Sequence, residues 1–82
     1  MLPNRFWDKI RITPSGCWFW LAGKDKDGYG KFWFNGTTGR AHRIAYIELR
    51  GAIPDGLVPD HLCQVPCCVN PWCIELVTPW EN

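Results

Sequence analysis

The amino-acid sequence predicts a small α+β domain stapled by a metal ion, and three observations carry that expectation. The chain has 82 residues, and domains of this size bury only about 60% of the surface their unfolded chains expose, so many need a cross-link. It has five cysteines, four of them within the last 24 residues. Finally, strand-like aromatic runs come first, one good helix follows, and two short apolar runs then flank a cysteine-filled loop.

The elements follow in order from local chemistry. Residues 5–12, "RFWDKIRI", predict a short amphipathic helix with Phe6, Ile10 and Trp7 toward the core, and "TPSG" ends it. "CWFWLAG" (17–23) has the β-propensity of a strand, and "KDKDG" supplies a turn. "YGKFWF" (29–34) is a second strand, and Asn35-Gly36 is a strong type I′ hairpin signal leading into a short third strand toward Arg40. These make an N-terminal antiparallel sheet. "RAHRIAYIELRG" (40–51) is the central helix: Ala41, Ile44, Ala45 and Ile47 share an apolar face, Gly51 sits where a helix stops, and Pro54 forbids continuation. "LVPDHLC" (57–63) and "IELV" (74–77) are two further strands. Thr78-Pro79-Trp80-Glu81 reads as a helix start, with Thr as N-cap, Pro at the first position and Glu completing a capping box. The expected last helix is a stub that stops at Asn82.

Charge is uneven. The net value is +1, but all nine Lys and Arg lie in the first 50 residues, while the last 32 carry Asp55, Asp60, Glu75 and Glu81 and no Lys or Arg. A basic platform beside an acidic, cysteine-rich end suits a protein that meets a polyanion with one part and holds metal with the other. We therefore divide the single domain (1–82) into a platform (1–56) and a cysteine-bearing end (57–82).

No uninterrupted apolar segment follows the start, and no run approaches membrane-spanning length. The expected location is cytoplasmic, where cysteine clusters bind metal more often than they form disulfides. An odd cysteine count with Cys67 and Cys68 adjacent also fits a disulfide framework poorly. Cys63, Cys68 and Cys73 are each five residues apart, and Cys17 lies on the first strand. A loop with that spacing can wrap one zinc ion, with the remote cysteine closing the tetrahedron. Four thiolates leave no position for water, so such a zinc is structural. Spacing alone leaves Cys67 open as a ligand in place of Cys68. His61, beside that loop, has the chemistry of a general base near neutral pH.

The ordered elements "GCW.W", "GYG.F", "AHR.AY", "DHLC", "CVNP" and "VT..EN" span nearly the whole chain. Together they resemble phage-type HNH endonucleases of the His-Me finger (ββα-metal) superfamily, including zinc-stapled homing endonucleases. The resemblance implies a C-terminal ββα-metal motif and a metal-dependent nuclease acting on double-stranded DNA in a bacterial or phage-infected cell. It implies that His61 is the general base that activates water, and that Asn82 binds the catalytic Mg²⁺ or Mn²⁺. Cys17, Cys63 and Cys68 match structural zinc ligands, Asn70 is the middle Asn expected to brace the loop behind His61, and Arg40 or Arg43 grips phosphate. Two departures stand out. Cys73 replaces an expected histidine, which still closes the zinc site but adds one negative charge. The helix carrying Asn82 is cut short, which opens a second reading: a zinc-stabilised DNA- or protein-binding module that has lost its catalysis. With few basic residues, weak or nicking action on DNA is expected. Trp18 and Trp20 are expected mostly in packing.

Overall fold

A computed structural model describes residues 1–80. Three antiparallel strand pairs accompany a one-turn helix and a longer central one: α1 (Asn4–Trp7), β1 (Ile10–Ile12), β2 (Trp18–Trp20), β3 (Lys31–Phe34), β4 (Thr37–Arg40), α2 (Ala41–Leu49), β5 (Val58–His61), a 3-10 turn (Pro71–Cys73) and β6 (Ile74–Val77). The α+β class, the hairpin at Asn35-Gly36, the central helix and the two late strands stand where the sequence puts them.

The stretch 5–12 does not form one helix. α1 is a single turn ending at Trp7, and Ile10 and Ile12 instead pair with Trp20 and Trp18 of β2. An eight-residue helix gains few backbone bonds for its nucleation cost, whereas β-branched residues at alternate positions fit a waiting strand. The expected N-terminal sheet is accordingly two separate hairpins, β1–β2 and β3–β4. Between β2 and β3 only an isolated bridge, Lys24 to Gly30, remains. The second hairpin turns through Asn35 (φ 51°) and Gly36 (φ 81°), the two left-handed residues a type I′ turn requires.

The other edge of β2 is the key to the architecture. Phe19 bridges Cys68, Val69 N–H donates to Trp18 C=O (2.9 Å), and Trp20 N–H donates to Cys67 C=O (2.9 Å). The cysteine loop therefore docks as a third strand on β2, and Val69 joins the core of Leu2, Phe6, Trp20, Phe32, Ala41 and Ala45. Phe6, Trp20 and Phe32 meet pairwise with ring centroids 5.2–5.5 Å apart. Each such pair adds about 0.5–1.5 kcal/mol beyond its buried area. Gly30 lets the β3 entry lie flat on Trp20: a Cβ there would sit 2.5 Å from the indole.

Helix α2 is anchored at both ends. Ala41 N–H donates to Gly30 C=O (2.8 Å). At the other end Arg50 lies over the Tyr46 ring and donates to the carbonyls of Pro71 and Ile74, both at 3.2 Å. Gly51, at φ 124°, ends the helix. The helix thus spans from the basic hairpin to the cysteine loop. In the β2 strand Trp20 is fully buried as expected, whereas Trp18 is half-buried and packs between Trp7 and Trp72. Pro79 and Trp80 form a turn, so the described part of the expected helix stub is not helical; Glu81 and Asn82 lie outside the described residues, and among the described residues no closing helix of a ββα-metal motif follows β6.

Candidate metal centre and active site

Four segments deliver one sulfur each. Cys17 enters β2, Cys63 follows β5, Cys68 lies on the segment docked to β2, and Cys73 ends the 3-10 turn. Their Sγ atoms lie within 4.8 Å of one another. Tetrahedral zinc–thiolate geometry requires sulfurs about 3.8 Å apart, from a Zn–S distance of about 2.3 Å. Separations of at most 4.8 Å are within reach of that spacing, and the donors are the soft thiols zinc prefers. All five cysteines are free thiols. Burial raises the Cys68 and Cys73 thiols above their ordinary pKa, so a bound cation is what would make thiolates of them.

The choice between neighbours is settled by strand geometry. Successive side chains of an extended segment point to opposite faces. Cys68 is fully buried in the sulfur cluster, while Cys67 packs on the hydrophobic core. Cys68 is the fourth sulfur.

His61 closes β5, opposite Ile74 of β6. Its Nε2 lies 2.8 Å from the carbonyl of Cys68. A carbonyl only accepts, so Nε2 carries the proton, and in the neutral ring Nδ1 is left with a free lone pair. One residue thus joins the two groups: Cys68 offers its sulfur to the four-cysteine cluster and its carbonyl to the histidine. Leu62 N–H also donates to Cys73 C=O (2.8 Å), so the chain on the far side of His61 is tied to the same cluster.

A cavity of about 300 Å³ is lined by Tyr29, Arg40, His42, Arg43, Val58, Pro59 and Pro79, and the rings of Tyr29 and His42 pack against that of His61. The two arginines that sequence reasoning left unresolved differ here. Arg40 is engaged, 3.4 Å from Asp25 and stacked 4.2 Å from the Tyr29 ring. Arg43 is half-buried and has no hydrogen bond or ion pair among the described residues. Asp25 is itself shaped by its turn, accepting from the amides of Asp27 (2.9 Å) and Tyr29 (3.1 Å). Slight desolvation opposes ionisation there, but those amides with Arg40 and Lys31 hold the carboxyl below its usual range.

A model of the HNH endonuclease family matches residues 40–82, the span that holds Arg40, Arg43, His61, Asn70 and three of the four clustered cysteines. The chain belongs to the HNH endonuclease family. It is 39% identical over 66 residues to Protein 7.7 of Escherichia phage T7, covering 80% of this chain and 51% of that protein. It is 32% identical over 82 residues to Protein 2.8 of the same phage, covering 99% of this chain and 56% of that protein. The chain thus spans about half the length of the curated relatives it matches. No solved structure matches it.

Within this HNH chain, Asn70 braces the loop without touching the histidine ring. Its Nδ2 donates to Gly16 C=O (2.6 Å) and its Oδ1 accepts from Trp72 N–H (2.9 Å), pinning the cysteine loop beside Cys17. Cys17 lies outside the span matched by the HNH model, yet completes the sulfur set. Asn82 falls outside the described residues. Sequence reasoning missed Tyr29 and Asp25, which order the basic side of the site. It also left His42 without a role. That residue is 2% exposed and its ring stacks on Tyr29 and lies 4.7 Å from His61. Burial, with the nearby His61, Arg40 and Arg43, pushes its pKa down to about 3, so it is a neutral imidazole. The signals for it in the sequence are its place in the "AHR.AY" element and its position after the residue that begins the helix.

Proposed function

We propose that the chain is a metal-dependent DNA endonuclease that hydrolyses phosphodiester bonds in double-stranded DNA, leaving 5′-phosphate and 3′-hydroxyl ends. The observation that carries this reading is the His61–Cys68 hydrogen bond, which in the neutral ring frees Nδ1 of His61, together with the packing of that ring on Tyr29 and His42, two residues of a cavity that also bears an unpaired arginine. Nδ1 takes a proton from the water that attacks the phosphorus, and the carbonyl of Cys68 holds the ring while it carries the charge. Arg43 grips a non-bridging phosphate oxygen, and Arg40 shapes the cavity wall through Asp25 and Tyr29. A structural zinc held by Cys17, Cys63, Cys68 and Cys73 keeps this loop in register. Asn82 is the residue that would hold the catalytic Mg²⁺ or Mn²⁺, whose chemistry is to stabilise charge on the phosphate and on the leaving 3′ oxygen. The phage relatives support action inside an infected bacterial cell.

The test is cleavage of supercoiled plasmid in Mg²⁺ or Mn²⁺, beside His61→Ala. Conversion of plasmid by the wild-type chain and loss of at least about 100-fold in the variant is expected, since a positioned general base contributes roughly 10²–10⁴-fold. Equal trace cleavage by both proteins defeats the proposal and leaves a binding module.

A further inference from the structure

His42 is the single fully buried polar side chain among the described residues, and its Nδ1 has no hydrogen-bond partner there. A phenyl ring would fill the same place with nothing left unpaired, so packing does not explain an imidazole. Its surroundings do point somewhere. Tyr29, His42 and His61 form a triangle of rings, with centroids 5.2, 4.7 and 5.9 Å apart. Arg40 closes the outer face of Tyr29 at 4.2 Å. The backbone below is fixed by the Ala41 N–H to Gly30 C=O bond at the first residue of α2. His61 is therefore held on two sides, by the Cys68 carbonyl at Nε2 and by this ring wall.

We infer that His42 is a positioning residue of the nuclease site: its ring sets the plane of His61, and its open nitrogen takes up a hydrogen bond once phosphate and water are seated beside that histidine. The inference rests on the nuclease reading above and goes beyond it by giving the first turn of α2 a role in orienting the general base. It also separates two demands that the site makes on one residue. The flat ring is needed in the resting chain, and the nitrogen is needed only in the loaded one.

Two substitutions resolve these demands. His42→Phe keeps a flat ring and removes the nitrogen. His42→Leu keeps apolar volume and removes both. On plasmid, His42→Phe is expected to lower kcat about tenfold and His42→Leu about 100-fold, the scale of a displaced catalytic group. KM should stay within about threefold in both, because neither change touches the charge that grips DNA. The melting temperature of His42→Phe should equal or exceed that of the wild type, a dissociation of stability from turnover that a core residue does not show. Retention of wild-type kcat by both variants overturns the inference, as does a kcat loss that merely follows a fall in melting temperature. A wild-type chain without cleavage refutes the nuclease reading instead. The positioning claim is then read by side-chain NMR relaxation of the His61 ring, which should lose order in His42→Leu; unchanged order overturns it.

Discussion

Cys68 is the residue on which the site turns, because its two ends serve two different tasks. Its sulfur lies in the four-cysteine cluster, and its carbonyl accepts the His61 Nε2 proton at 2.8 Å. Residue-level contacts also separate two arginines of like sequence context. Arg40 is committed to Asp25 and Tyr29, whereas Arg43 faces the cavity uncommitted. A charge-assisted bond to phosphate is worth about 1.5–3 kcal/mol, or roughly 10- to 100-fold in rate. Arg43→Ala should therefore cut plasmid cleavage by about that factor with an unchanged melting temperature. Arg40→Ala loses a half-exposed ion pair and a ring contact, together worth no more than about 1–2 kcal/mol, and should mainly lower the melting temperature. Kinetics and thermal melts of the two variants check this, and the reverse pattern would reassign the phosphate contact.

Among the elements, β2 matters most, since it pairs with β1 on one edge and receives the cysteine loop on the other. That docking decides which of two adjacent cysteines joins the sulfur cluster. Metal analysis after purification without chelator should find one zinc per chain in the wild type and in Cys67→Ser. It should find strongly reduced zinc in Cys68→Ser; equal loading of the two variants contradicts the assigned ligand set. What the sequence made legible at this scale was local. The Asn35-Gly36 hairpin, the helix ending at Gly51 and the two strands around the cysteine loop all follow from nearby turn chemistry and periodicity. The five-residue spacing of Cys63, Cys68 and Cys73 was legible for the same reason, and Cys17, far off in the chain, joins their sulfur cluster. Pairings across distance were not. Ile10 and Ile12 look like one face of a helix until Trp18 and Trp20 are known to lie opposite them. The wall of Tyr29 and His42 arises only when the β3 entry, α2 and β5 converge, and no single stretch of chain carries that signal.

The whole molecule couples stability to the same site. The basic hairpin, α2 and the cysteine loop share one core, so loss of the metal is expected to loosen the histidine together with the fold. Acid should act through His42 as well. Its folded pKa, about 3, lies below the 6.5 of an exposed histidine, so the unfolded chain binds the extra proton first. Burying His42 neutral therefore costs nothing in proton linkage above about pH 6.5, and stability falls as pH drops toward 3. Between pH 7 and 5 this amounts to about 2 kcal/mol. Urea unfolding at those two pH values should show that loss in the wild type in excess of His42→Phe, the subtraction cancelling protonation of the cysteines common to both. Identical pH slopes would mean that the imidazole is not buried as described.

The proposed chemistry depends most on the state of one ring. Long-range ¹H–¹⁵N NMR of the zinc-loaded chain above neutral pH reads it directly. His61 should show a protonated Nε2 and an unprotonated Nδ1, the tautomer that the Cys68 carbonyl selects. A spectrum with the proton on Nδ1 would contradict the arrangement, because the nitrogen assigned to take a proton from water would already hold one.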